Sequence, residues 1–219
     1  MLNSIEYDFD EVINRKNTDC TKYDGLKKYF GYSDLNPLWV ADMDFKTPNF
    51  INDAIISAAQ NSLYGYSIVS NETIDSIVKW QKNQHSWEIL PNEIFMINGV
   101  VPAYSACIEA FSDEGDEVIV QTPVYPPIFN CVKANNRKIV VNELINTNGY
   151  YTMDFDDLEK KITPKTKILA LCSPHNPVGR VWSKEELERL ADICIKHNIV
   201  IVSDEIHSDL TFKKFIPLA

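Results

Sequence analysis

Two short motifs in the second half of the chain carry the side chains best suited to chemistry. One is Ser173-Pro174-His175-Asn176-Pro177-Val178-Gly179 and the other is Ser203-Asp204-Glu205-Ile206-His207. The Asn176 amide and the Asp204 carboxylate form a pair that can hold an aromatic nitrogen heterocycle by its phenolic oxygen and its ring nitrogen. Taken singly, Asn176 also fits an Asx turn, and Asp204 also fits a helix cap or a structural ion pair. The order of several such groups along one sheet favours the ligand site.

Both motifs follow apolar runs that are typical of buried β-strands. A short apolar run stands at 93–98, and runs rich in β-branched residues stand at 117–121, 138–141, 167–172 and 199–203. Near-continuous apolar strands that alternate with amphipathic helices predict a mostly parallel sheet covered on both faces. The predicted fold class is therefore α/β, and residues 1–46 are expected to be irregular and rich in turns.

Helix signals separate the predicted strands. Apolar residues at helical spacing predict one helix after Pro48, a second from Ser70 and a third entered through Pro102. Ser183 and Glu186 form an S-x-x-E capping box ahead of a fourth helix.

Ligands of open α/β sheets collect at the carboxyl ends of the strands, and further candidates lie there. Gly99-Val100-Val101-Pro102 follows the predicted strand 93–98 and opens a helix, so its backbone N–H groups could bind an anion. Tyr125 follows the strand 117–121, where its ring could stack on a flat ligand. Tyr66 could offer a phenol hydroxyl. Each of these also fits a plain turn or aromatic packing.

Composition excludes several classes of function. The 219 residues have a formal net charge of −10, which argues against nucleic acid or an anionic membrane as a partner. The five cysteines include no CxxC pair, and the histidines have no ligand-like spacing, so no metal is predicted. No signal peptide or membrane span is visible, which predicts a cytoplasmic protein.

Six segments together resemble one enzyme family. They are Leu38–Phe45 (LWVADMDF), Tyr64–Ser67 (YGYS), Gly99–Pro102 (GVVP), Thr122–Tyr125 (TPVY), Ser173–Gly179 (SPHNPVG) and Ser203–Asp209 (SDEIHSD). In this order they resemble the fold-type-I pyridoxal-phosphate enzymes of the class I/II aminotransferase superfamily. The ADMDF and SDEIHSD segments resemble most closely its cystathionine β-lyase, or C–S lyase, branch. The resemblance implies a three-layer PLP-transferase-like sandwich and pyridoxal 5'-phosphate as cofactor.

The resemblance also implies roles for individual residues. Val100 and Val101 would bind the cofactor phosphate through backbone N–H groups, and Tyr125 would stack on the ring. Asn176 would hold the phenolic oxygen and Asp204 the ring nitrogen. The remaining two cofactor-binding candidates are Tyr66, which would reach the phosphate of a neighbouring subunit in a homodimer, and His207, which stands where ordinary aminotransferases carry tyrosine.

The implied reaction is C–S β-lysis of a small amino-acid thioether such as cystathionine, with release of thiol, pyruvate and ammonia. Aminotransfer on the same fold is the close alternative, and a catalytically inactive, PLP-binding regulatory fragment is another. A nucleotide-binding α/β domain ranks last because neither G-x-G-x-x-G nor G-x-x-x-x-G-K-[ST] is present.

The family pattern continues past the last residue of this sequence. The lysine that would bind the cofactor covalently and the arginine for the substrate carboxylate are both expected beyond Ala219. Lys213 and Lys214 follow Asp204 too closely for the lysine role. We therefore expect residues 1–46 to form an N-terminal arm with a small-domain segment, and 47–219 an incomplete large domain that is inactive alone.

Overall fold

The computed structural model describes residues 7–219. They belong to two compact units, Met1–Ile68 and Val69–Ala219. The division into an arm and a large domain near residue 46 stays a prediction.

In its described residues, the first unit contains three helices, α1 (Thr21–Asp24), α2 (Leu26–Phe30) and α3 (Asn49–Gln60). The helix predicted after Pro48 is confirmed as α3. The prediction that residues 1–46 lack regular structure was wrong for α1 and α2, which are one-turn helices too short to give a clear periodic signal.

Ion pairs organise the ADMDF segment within this unit. The Lys22 ammonium lies 2.7 Å from an Asp44 carboxylate oxygen, and it also donates to the Asp42 carbonyl oxygen at 2.9 Å. The Arg15 guanidinium forms ion pairs with the carboxylates of Asp42 and Asp44. Hydrogen bonds from Lys22 and then Arg15 lower the pKa of Asp44, so this carboxylate stays ionised.

The second unit is an α/β unit with a central parallel sheet. Its helices are α4 (Asn71–Trp80), α5 (Val100–Phe111), α6 (Pro127–Ala134), α7 (Phe155–Lys161) and α8 (Lys184–Lys196), with a π-helical turn at Gln81–His85 and a 3-10 turn at Pro91–Glu93. Its strands are β1 (Glu117–Thr122), β2 (Lys138–Glu143), β3 (Ile145–Thr147), β4 (Tyr150–Thr152), β5 (Thr166–Cys172) and β6 (Val200–Asp204).

Four strands form the sheet in the order β2-β1-β5-β6, and every pair in it is parallel. Strands β3 and β4 form a separate antiparallel hairpin. In the β5–β6 register, Cys172 lies opposite Asp204, so both strands end at the same level.

Two apolar clusters cover the two faces of the sheet. One joins Ile119, Leu169 and Leu171 to α7 and α8, and the other joins Val118, Val120 and other strand residues to α5 and α6. Alternating side chains of each strand thus enter opposite clusters, as expected for a sheet buried on both faces. This confirms the predicted three-layer α/β fold.

Local signals in the sequence account for two of the helices. The Ser183 hydroxyl accepts from the Glu186 N–H at 3.2 Å, and the Glu186 carboxylate accepts from the Ser183 N–H at 2.8 Å, which confirms the capping box of α8. Ser70 caps α4 by accepting from the Thr73 N–H at 3.2 Å.

The strand predicted at 93–98 was wrong. Glu93 ends a 3-10 turn, and residues 94–98 pair with no strand in the part of the chain that the structure describes. Phe95 is 82% exposed. A β-strand needs a hydrogen-bonded neighbour, and this run has none among the described strands, so an apolar run alone does not make a strand here.

Candidate functional site

A hollow that is open to solvent lies at the carboxyl ends of β1 and β6, against the N-terminus of α5. Eight residues line it: Val100, Val101, Tyr104, Tyr125, Pro127, Ile128, Cys131 and Asp204. Four of the seven candidates taken from the sequence are among them. Val100, Val101, Tyr125 and Asp204 are thus brought together by the fold.

The N-terminus of α5 provides unused hydrogen-bond donors. Gly99 precedes the helix with φ 111 and ψ 159, a conformation that side chains with a Cβ rarely adopt. The first bond of this turn runs from the Ala103 N–H to the Gly99 carbonyl oxygen at 3.2 Å. Within residues 7–219, the N–H groups of Val100 and Val101 have no acceptor. Free N–H groups and the positive end of the helix dipole can bind an anion.

Tyr125 contributes an aromatic ring to the hollow and remains 38% exposed. It lies in the short loop between β1 and α6, and its carbonyl oxygen accepts from the Ile128 N–H at 3.2 Å. This bond begins the turn that leads into α6. A partly exposed ring on a loop held at both ends can stack against a flat ligand.

Asp204 is the last residue of β6, and only 8% of its surface is exposed. Its Oδ1 accepts from the Ile206 N–H at 3.2 Å, and its carbonyl oxygen accepts from the Ser173 N–H at 2.9 Å. No donor to Oδ2 is found among the described residues. A buried carboxylate with an unused oxygen is suited to a cation or an N–H donor in the hollow.

Tyr104 lies beside Asp204 on the α5 side of the hollow. Its hydroxyl donates to the Val202 carbonyl oxygen at 3.4 Å. Burial, and then the negative charge of Asp204, raise the pKa of Tyr104 well above its usual value. The phenol therefore stays protonated and adds no second negative charge to the site.

The three other candidates do not line the hollow. Asn176 lies in the loop after β5, where its backbone N–H donates to the Cys172 sulfur at 3.3 Å. His207 lies in the turn that follows β6, partly buried. Tyr66 belongs to the first unit and is fully exposed. The cofactor roles of all three stay predictions.

Sequence reasoning missed the wall of the hollow formed by α6 and Tyr104. A signal for α6 was present, because Pro126 and Pro127 precede apolar residues Ile128, Cys131 and Val132 at helical spacing. Burial raises the pKa of the Cys131 thiol. Cys131 therefore acts as an apolar wall residue rather than a nucleophile.

The geometry of the hollow suits a flat, bipolar ligand. An anionic group can bind at the α5 N-terminus, an aromatic ring at Tyr125, and a protonated ring nitrogen at Asp204. The described residues contain no group of three or more His, Cys, Asp or Glu that could hold a metal ion. None of the helices in residues 7–219 is long and apolar enough to cross a membrane.

Comparison with known proteins decides the family. The family model described as "Aminotransferase class I and II" matches residues 38–219. The chain belongs to this family. Cystathionine beta-lyase PatB of Bacillus subtilis is 42% identical over 203 residues, which cover 92% of this chain and 52% of PatB.

Solved structures of similar proteins superpose closely on the chain. Cystalysin from Treponema denticola, which contains a pyridoxal 5'-phosphate cofactor, matches with a TM-score of 0.91 and 39% identity, covering 98% of this chain and 56% of cystalysin. The PLP-bound C-S lyase from Staphylococcus hominis matches with a TM-score of 0.91 and 34% identity, over 98% of this chain and 56% of its own. The chain thus spans about half the length of these relatives.

Proposed function

We propose that the hollow binds pyridoxal 5'-phosphate. The observation that carries this proposal is the shared lining of one hollow by the α5 N-terminus, Tyr125 and Asp204. The cofactor has a phosphate, a flat ring and a basic ring nitrogen. The α5 N-terminus, Tyr125 and Asp204 offer a partner to each in that order. Family membership and the pyridoxal phosphate in cystalysin support the same cofactor.

Each residue of the hollow has a definite task in this proposal. The N–H groups of Val100 and Val101 hold the phosphate, and the Tyr125 ring limits the cofactor ring to one plane. Asp204 accepts a hydrogen bond from the ring nitrogen and keeps a proton on that atom. Tyr104, uncharged at neutral pH, excludes water from the Asp204 side.

Bound pyridoxal phosphate supplies an electron-accepting ring that stabilises negative charge at the α-carbon of an amino acid. Asp204 sustains this property, because a ring nitrogen that keeps its proton accepts electrons better than a neutral one. The roles of Asn176 at the phenolic oxygen, of His207 near the cofactor and of Tyr66 at a neighbouring subunit belong to the same proposal.

The reaction that we propose is C–S β-lysis of a small amino-acid thioether such as cystathionine. Water is consumed, the C–S bond at the β-carbon breaks, and a thiol, pyruvate and ammonia are released. The names of PatB and of the Staphylococcus hominis C-S lyase support this reaction over others of the family. The chain spans about half the length of these relatives, so this activity is proposed for the whole protein.

Aminotransfer remains the second candidate, since the family is named for it. The deciding experiment gives the protein expressed from its own gene a thioether, with and without a 2-oxo acid. Thiol and pyruvate that appear without the oxo acid support the lyase. A new amino acid that forms only when the oxo acid is present, without thiol release, refutes it.

The third candidate is an inactive protein that binds the cofactor without turnover. Titration of the same protein with pyridoxal phosphate and with pyridoxal tests the hollow itself. Tight binding that depends on the phosphate group supports the proposed site, and equal affinity for the two compounds refutes it.

The proposal also includes a homodimer with shared sites and a cytoplasmic location. Sedimentation tests the first of these, and cell fractionation tests the second.

A further inference from the structure

His175 is a buried titratable residue that the proposed chemistry does not use. Only 1% of its surface is exposed, and its ring packs edge-on against Trp182 with a centroid distance of 5.4 Å. Its Nε2 lies 2.8 Å from the carbonyl oxygen of Pro123. Within the described residues its Nδ1 has no hydrogen-bond partner.

The contacts of the ring define its protonation. A carbonyl oxygen can only accept, so the bond to Pro123 requires a proton on Nε2. Nδ1 has no partner among the described residues, and burial lowers the pKa of the ring. His175 is therefore a neutral imidazole with its proton on Nε2.

This bond joins two loops that carry candidate cofactor residues. Pro123 lies two residues before Tyr125 in the loop after β1, and His175 immediately precedes Asn176 in the loop after β5. The second loop is itself closed, because the His175 N–H donates to the Arg180 carbonyl oxygen at 2.8 Å, and the Gly179 N–H donates to the His175 carbonyl oxygen at 2.8 Å.

A third loop is fastened to the same assembly. The Ser173 N–H donates to the Asp204 carbonyl oxygen at 2.9 Å, so the end of β6 is tied to the residues just before His175. The hydrogen bond from the His175 side chain to the Pro123 carbonyl oxygen joins the β1 loop directly to this tied pair. Small displacements of the groups around a reacting ligand lower the reaction rate, so a hydrogen bond that fixes these loops can affect function.

We propose that His175 is a positioning residue that fixes the Tyr125 loop relative to Asp204 through its hydrogen bond to Pro123. This inference rests on the proposed function, because its consequence is the placement of Tyr125 against a bound pyridoxal phosphate ring. His175 does not touch the hollow and acts only through the loop.

Two substitutions separate the hydrogen bond from the packing. His175→Gln keeps an N–H donor near the position of Nε2, whereas His175→Phe keeps a flat ring beside Trp182 and removes the donor. The measurements, on the protein expressed from its own gene, are the dissociation constants for pyridoxal phosphate and for inorganic phosphate. Circular dichroism and the thermal midpoint check that each variant is folded.

We expect His175→Phe to weaken binding of pyridoxal phosphate about tenfold, the equivalent of one hydrogen bond, and His175→Gln to stay within about twofold of the wild type. Binding of inorganic phosphate, which needs only the α5 N-terminus, should not change in either variant. Equal effects of Gln and Phe, or equal losses for the two ligands, overturn the positioning role.

The outcomes also distinguish this inference from the proposed function. If the wild type does not bind pyridoxal phosphate, the proposed function fails and the role of His175 fails with it. If the wild type binds and His175→Phe binds equally well, only the role of His175 fails. Nitrogen-15 NMR of histidine-labelled wild-type protein needs no variant, and an Nε2 of His175 found without a proton would also overturn the inference.

Discussion

The backbone N–H of Ser173 donates to the carbonyl oxygen of Asp204 at 2.9 Å. This bond continues the β5–β6 ladder one step past the register pair of Cys172 and Asp204. The carboxylate of Asp204 thus projects from a fixed backbone at the edge of the hollow. Such rigidity is what a residue that must hold one ligand atom requires.

Asp204→Asn should weaken binding of pyridoxal phosphate about tenfold to a hundredfold. The amide keeps the size of the side chain but removes the charge from a charge-assisted hydrogen bond, which contributes about 1.5–3 kcal/mol. Isothermal titration calorimetry measures this change. Asp192→Asn, an exposed change on α8, is the matched control and should bind like the wild type. Unchanged affinity in Asp204→Asn would remove the carboxylate from the site.

Gly99→Ala should lower both stability and phosphate binding. The added Cβ meets only Pro102 Cδ, at 3.7 Å, so the cost arises from the φ of +111 rather than from a clash. Strain of this kind costs about 1–3 kcal/mol, measured as a decrease in the free energy of unfolding in urea. Gly65→Ala, where the structure gives open space and no positive φ, serves as the control. Equal stability of the two variants would contradict the strain argument.

The sequence predicted the sheet strands that pair and missed the elements with weak local signals. The runs rich in β-branched residues predicted β1, β2, β5 and β6, and the capping box predicted α8. Residues 94–98 have the same apolar character but remain outside the sheet, because strand formation depends on a partner as well as on composition.

The site was predictable to the extent that it follows strand ends. Asp204 and Tyr125 each follow a strand, and Val100 and Val101 open a helix, so topology brings them to one edge. Tyr104 could not be predicted in the same way, because it reaches the hollow from the first turns of α5 through packing against β6. The role of Asn176 in the site depends on the direction of its side chain, which the sequence does not determine.

Stability should depend on pH through His175. Burial lowers its pKa below the usual 6.5, and the charge of Arg180 acts in the same direction against the raising effect of nearby carbonyl oxygens. The unfolded chain therefore binds a proton near pH 6.5 that the folded chain does not. The contribution of His175 to the free energy of unfolding should be fully present above this pH and should decrease as the pH falls below it.

Comparison with His175→Gln isolates this effect from other titrating groups. The difference in unfolding free energy between the wild type and the variant should shrink as the pH is lowered from about 7.5 to about 5.5. Burial raises the pKa of Glu205, but this contribution is present in both proteins and cancels. A difference that is constant with pH would contradict a neutral, buried His175.

Ser183→Ala should destabilise the second unit by about 1 kcal/mol, because the Ser183 hydroxyl accepts the Glu186 N–H at the start of α8. Urea unfolding measures the loss. Ser57→Ala, an exposed position within α3, should change stability much less. A similar loss in the two variants would show that the cap contributes no more than any surface serine.

The most direct test of the account is a crystal structure of the protein, expressed from its own gene, with pyridoxal phosphate. We expect the phosphate at the N–H groups of Val100 and Val101, the ring against Tyr125 and the ring nitrogen within hydrogen-bond distance of Asp204. A cofactor bound away from this hollow, or an Asp204 carboxylate that does not contact the ring nitrogen, would contradict the central claim.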